Sequence, residues 1–275
     1  MAVFYKSFTL ICVLVIYYIY IRIEIQKCSF MKAILEVCAG CIESVYAAQK
    51  GGAYRVELCS GLDEGGITPS VGYIEEAMAV PNLKKQVLIR PRGGDFLYTE
   101  AERKVICRDI EMARRLGVDG VVIGALDADG NIDMSPMRDF MSAAEGLDVT
   151  FHRAFDMCSH PLAALEQIIS LGCHRILTSG QASTAENGVP FLRKLVELAA
   201  DRISIMPGCG VNASNAAFII RETGANEIHA SARGTLGSLM RFRHNGVEMG
   251  KSGVDEYARM ATMEQKVRAI VDSLI

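Results

Sequence analysis

The chain has no tryptophan, no low-complexity tract and no stretch in which its 29 lysines and arginines are massed together. With its basic residues dispersed and a net charge of −3, the protein lacks the electrostatic footprint of a nucleic-acid binder. Nine cysteines, an odd number without framework spacing, exclude a secreted disulfide scaffold and imply a reducing compartment. Cys38 and Cys41 form a Cys-x-x-Cys pair, but no second pair follows, which argues against a four-cysteine zinc site. The conspicuous apolar run, Phe8 to Ile21, is short of the roughly 20 residues that a membrane-crossing helix needs. No Ala-x-Ala-like cleavage site follows it, so it does not complete a secretory signal.

The 275 residues are half hydrophobic, enough for one substantial core. A length near ~250 residues is ordinary for a one-domain α/β barrel. Composition breaks at Met31, directly before the first strand pattern. Residues 1–30 are read as an upstream extension of the reading frame, with a membrane anchor through residues 8–21 as the alternative. A chain starting at Met31 is then expected to fold with unchanged thermal stability.

From Met31 onward, short β-rich runs alternate with helical patterns. Strands are expected to end near Cys38, Cys59, Pro91, Gly124, Arg153, Ser179, Pro207 and Ser231. The clearest helices are expected over Thr99–Leu116, Pro161–Leu171, Pro190–Ala200 and Asn212–Glu222. Thr99 and Glu102 have capping-box spacing at a helix start. Gly52, Gly117, Gly172 and Gly224 each stand a few residues ahead of a strand, where a left-handed residue stops the preceding helix. Strands alternating with helices imply parallel pairing through crossovers. Eight units without a break point to an α/β fold, a single eight-stranded parallel (β/α)8 TIM-type barrel over residues 31–275.

Strand parity separates the two faces of the sheet. Leu35 and Val37 suit the helix-covered outside, which turns Glu36 and Cys38 inward. By the same alternation Arg55, Glu57 and Cys59 point inward from the second strand, and Arg90 and Arg92 share a face in the third. Thr150 and His152 follow in the fifth, and His229 and Ser231 in the eighth. Carboxylates, guanidiniums and imidazoles thus gather at one end of the barrel, where such folds carry function. Either they satisfy one another as a polar core or they line a pocket. The loops at that end contain Ser179, then Gly208-Cys209-Gly210 before a helix, then Arg233. Glycines admit an anion to backbone N–H groups, and a helix N-terminus favours negative charge.

Several runs now resemble the CutC family. They are Glu36-Val37-Cys38, Glu57-Leu58-Cys59-Ser60-Gly61-Leu62, Glu64-Gly65-Gly66-Ile67-Thr68-Pro69-Ser70 and Ile89-Arg90-Pro91-Arg92-Gly93-Gly94, with Thr150-Phe151-His152-Arg153-Ala154-Phe155-Asp156 and His229 to Arg233. The resemblance spans Met31 to the C-terminus. It implies a cytoplasmic copper homeostasis protein with a barrel fold, and it places Cu(I) ligands on Cys38 and Cys59. Neighbouring strand ends, roughly 4.8 Å apart, suit that pairing, and soft thiolates suit Cu(I).

Two functions remain open on the sequence. One is Cu(I) binding at Cys38 and Cys59. The other is an enzyme acting on a small anionic or phosphorylated metabolite. In the second, Glu36, Glu57, His152 and Asp156 are the acid–base candidates. Arg90, Arg92, Arg153, Ser179, Gly208, Gly210, His229, Ser231 and Arg233 would hold the anion. No activated nucleophile, strand-borne Schiff-base lysine or hard-metal cluster is evident, so no reaction can be named. The expected partner is a copper ion or a small anion, with neither nucleic acid nor membrane for the barrel; a homo-oligomer stays open.

Overall fold

In the computed structural model, residues 33–274 are described, apart from 245, 248 and 250–254. The N-terminal extension and its apolar run lie outside the described residues. Among the described residues, no helix is long and apolar enough to cross a membrane.

Eight short strands form the sheet: β1 (Ile34–Ala39), β2 (Arg55–Leu58), β3 (Lys84–Leu88), β4 (Gly120–Ile123), β5 (Asp148–Phe151), β6 (Arg175–Thr178), β7 (Ser204–Pro207) and β8 (Glu227–Ala230). Between them run α1 (Ile42–Gly51), α2 (Val71–Met78), α3 (Glu100–Arg115), α4 (Met134–Ala143), α5 (Pro161–Ser170), α6 (Val189–Ala199) and α7 (Ala216–Thr223). All pairings within the sheet are parallel and follow chain order, and β1 pairs with both β2 and β8. The ring closes where β7 packs beside β8. The expected parallel barrel is the observed architecture. After β8 the chain adds an antiparallel ribbon, β9 (Arg233–Gly237) with β10 (Ala258–Thr262), and then α8 (Glu264–Ser273).

Local chemistry accounts for the helix ends. Thr99 caps α3 with a reciprocal capping box to Glu102, satisfying two N–H groups that the first turn would leave unpaired. Gly52, Gly117, Gly172 and Gly224 all adopt positive φ, between 74° and 87°, as helix stops require. One helix starts later than expected. Asn212 accepts from the Ser214 amide, and Asn215 in turn accepts from the Asn212 amide. That local turn holds the segment out of helix until Ala216.

Alternation along each strand builds two separate interiors. Leu35, Val37, Val56, Leu58, Val121, Val149, Phe151, Ile176 and Ile228 join the apolar layer between sheet and helices. Cys38, Cys59, Leu88 and Val122 form a smaller cluster inside the barrel. Removing about 25 cal/mol of unfavourable hydration per Å² of apolar surface, the outer layer supplies most of the driving force. The inner lumen is thereby free to hold polar groups.

Candidate functional site

The lumen is layered. At its base, β1, β2, β6 and β8 contribute Glu36, Arg55, Arg175 and Glu227, all buried. Arg55 bridges the two glutamates through its Nε and one terminal nitrogen. Arg175 reaches Glu227 at 3.2 Å and the Thr150 hydroxyl at 3.2 Å. Burying four charges is tolerable because each guanidinium faces carboxylate oxygens with fixed geometry. Burial pushes the Glu36 carboxyl up, but Arg55 and His229 outweigh it and hold the group at about 2.

Above this base sits the thiol layer. Cys38 Sγ and Cys59 Sγ lie 3.3 Å apart. Both are free thiols, as are all seven cysteines among the described residues. His229, from the end of β8, places Nδ1 at 2.9 Å from Glu36 Oε1 and Nε2 at 3.6 Å from Glu57 Oε2. One ligand atom each from Cys38, Glu57 and His229 falls within 4.8 Å of the others. The hydrogen bond from Cys59, reinforced by burial, raises the Cys38 thiol well above its ordinary value. Burial lowers the affinity of His229 for a proton, yet Cys38, Glu36 and Glu57 together raise it well above an ordinary imidazole. Glu57 is raised, first by burial and then by the Glu36 charge, against the pull of His229.

The thiols and Glu57 open into a cavity of about 330 Å³ at the carboxyl ends of the strands. Arg90, Phe96, His152, Arg153, Gly210, Ser231 and Arg233 also line it. Here His152 Nδ1 accepts the Ala154 N–H at 3.2 Å, so the ring caps the 3-10 turn Arg153–Met157. Burial, then the Arg90 charge, depresses His152 to about 3. The imidazole is therefore neutral, and its proton sits on Nε2.

Several expected site residues lie elsewhere. Arg92 does not face the cavity: β3 ends at Leu88, and Pro91 has no N–H with which to extend the ladder. Its guanidinium instead bonds Glu102 at 2.6 Å and Asp95 at 3.0 Å, pinning the loop to the start of α3. Asp156 is also outside the cavity lining. It accepts from Arg153, the Ser179 hydroxyl and the amides of Ser179 and Gln181, which makes it a loop anchor with no lone pair to spare for proton transfer. Ser179 is consumed in the same knot. Glu36 lies beneath the thiol layer, reaching the cavity only through His229. Gly208 serves close packing, since a Cβ there would meet Leu177 Cδ1 at 2.5 Å and His229 Cβ at 3.2 Å. His229, expected to hold an anion, turns both nitrogens toward carboxylates instead.

The sequence reading passed over Glu227, Arg175 and Phe96. Parity from His229 would have exposed Glu227, two residues earlier on the same strand face. Two lysines do stand in a strand, since β3 begins at Lys84, but neither reaches the cavity. Lys84 pairs with Asp119 and Lys85 bonds the Val80 carbonyl, both at the amino end and away from the cavity.

Comparison with known proteins bears on this arrangement. The model of the CutC family matches residues 33–234. The chain belongs to the CutC family. A family protein CutC of Bacteroides thetaiotaomicron is 54% identical over 84% of this chain and 94% of its own length. The human copper homeostasis protein cutC homolog is 46% identical over 86% of this chain and 87% of its own. A crystal structure from Streptococcus agalactiae, carrying the CutC copper-homeostasis name, superposes with a TM-score of 0.70 at 35% identity. It covers 72% of this chain and 98% of that one. The family resemblance read from the motifs at Glu36–Cys38 and Glu57–Leu62 is thus established for this CutC chain.

Proposed function

We propose that this protein takes up Cu(I) at Cys38 and Cys59 as part of copper homeostasis in a reducing, cytoplasmic compartment. The observation that carries the reading is the pair of thiols 3.3 Å apart on neighbouring strand ends, with His229 and Glu57 at their side. Two soft sulfur donors and an imidazole match the preference of Cu(I), whereas a hard cation would demand oxygen donors that this layer does not supply in number. Copper is cargo in this scheme. Cys38 and Cys59 would hold it, and His229 would offer a third donor once it gives up its own proton, since ligands bind metal in their deprotonated forms. The name of the human relative, a copper homeostasis protein, supports the same reading.

The test is anaerobic titration of Cu(I) against a competing chelator. The Cys38→Ser/Cys59→Ser double variant should lose at least about two orders of magnitude in affinity, since losing an outer-shell partner alone costs about 10–100-fold. Cys107→Ser and Cys173→Ser, on α3 and at the amino end of β6, should bind as the wild type does. Undiminished affinity in the double variant would refute the site.

A further inference from the structure

The cavity contains a charge that the copper reading leaves unexplained. Arg90 is buried, and its guanidinium donates only to backbone carbonyls: Glu64 at 3.0 Å, Gly66 at 2.9 Å and Gly94 at 2.7 Å. No carboxylate pairs with it among the described residues. Its Nε–H is buried without a hydrogen-bond partner, and so is Nε2 of the neighbouring His152. The ring of Phe96, 4.9 Å from the guanidinium carbon and 4.8 Å from the His152 ring, gives only a partial cation–π compensation. A buried positive charge without a counter-ion is among the costlier arrangements a protein can hold. Contrast the base of the same barrel, where Arg55 and Arg175 each meet glutamates. Two further arginines line the cavity: Arg153, already paired with Asp156, and Arg233, which stands where this cavity meets a second one beside the β9–β10 ribbon.

We infer that this cavity is a binding site for a small organic oxyanion, a carboxylate or phosphoryl compound, which serves as the counter-ion of Arg90. His152 is a hydrogen-bond donor at this site and Arg233 a second positive charge at its rim. The volume of about 330 Å³ lies at the small end of ligand pockets and fits a metabolite of modest size. The site goes beyond copper binding: its residues stand at the ends of β3 and β5 and just after β8, flanking Cys38 and Cys59 on β1 and β2. This gives definite residues to the anion that the sequence leaves open as an alternative, with Arg92, Ser179, Gly208 and His229 removed from the set.

Titration calorimetry of the full chain, with inorganic phosphate and with malonate as separate probes at matched ionic strength, tests the inference. Saturable one-to-one binding of either probe is the expected result. Phosphate alone would identify a phosphoryl ligand, malonate alone a carboxylate, and both the shared oxyanion chemistry. Arg90→Met should weaken binding at least about tenfold, or 1.4 kcal/mol. Because Arg90 also ties three loop carbonyls, Arg233→Ala decides the matter if Arg90→Met fails to fold, with the same expected loss. The Cys38→Ser/Cys59→Ser variant should keep its anion affinity, so failure of the copper site leaves this one standing. No saturable binding by the wild type would overturn the inference, as would undiminished affinity in the folded arginine variant.

Discussion

Replacing His152 by Asn should change how stability responds to acid, and the size of that change follows from the environment of the ring. His152 is held to about 3, first by burial and then by Arg90. In the unfolded chain the same ring titrates near 6.5. Between those values the unfolded chain binds a proton that the folded one refuses. Falling pH therefore favours unfolding, and stability tied to this ring is complete above pH 6.5 and lost progressively below it. From pH 6.5 to 4.5 the loss is about 2.3 kcal/mol, slightly under two units at roughly 1.4 kcal/mol each, because the unfolded ring is already half protonated at pH 6.5. Glu57, raised by burial, contributes a slope of opposite sign in this window, but it does so in both proteins and cancels from the comparison. Glu36, held at about 2, contributes stability that fades only as pH falls below its ordinary value near 4.5. His229, raised by its carboxylate neighbours, is protonated in both states below pH 6.5 and contributes slope only above it. Asn can still accept the Ala154 N–H with its side-chain oxygen, preserving the turn that His152 caps. Urea unfolding at half-unit steps from pH 6.5 to 4.5 supplies the comparison. The variant should show a flatter dependence, by about 2.3 kcal/mol across the window. Equal slopes in both proteins would mean that His152 is not a buried neutral ring, and the reasoning fails.

Two further outcomes follow from contacts in the lumen and at a helix end. Arg55→Met leaves Glu36 and Glu227 facing each other at the base without their shared cation; equilibrium unfolding should show a loss of about 3–5 kcal/mol, and a loss under 1 kcal/mol would disprove the ionic base. Thr99→Ala removes the cap of α3 and should cost about 1 kcal/mol in the same assay while leaving Cu(I) affinity unchanged.

Much of the lumen was legible because alternation has a period of two and the helices leave only one face for polar groups. Glu36, Glu57, Cys38, Cys59, His152 and His229 could all be assigned inward on that basis. The limits appear where a strand gives way to a loop. Arg92 lies two residues after Arg90, but Pro91 ends the ladder and the capping carboxylate of Glu102 draws the guanidinium outward. Asp156 sits in a 3-10 turn that has no alternating pattern, and its burial under Ser179 and Gln181 depends on a contact across more than twenty residues. The Arg55–Glu227–Arg175 base was only half visible, because pairing partners from β2, β6 and β8 meet through barrel closure and not through sequence proximity.

The ionic base has a consequence for traffic through the molecule. Glu36, Arg55, Glu227 and Arg175 span the lumen beneath the thiols and are themselves buried, so the barrel is a cup and not a tube. Whatever reaches Cys38 and Cys59 arrives over the rim formed by the carboxyl-end loops and departs by the same route. A molecule seated against Arg90 would stand in that passage like a stopper, and an ion beneath it could leave only after the stopper had lifted.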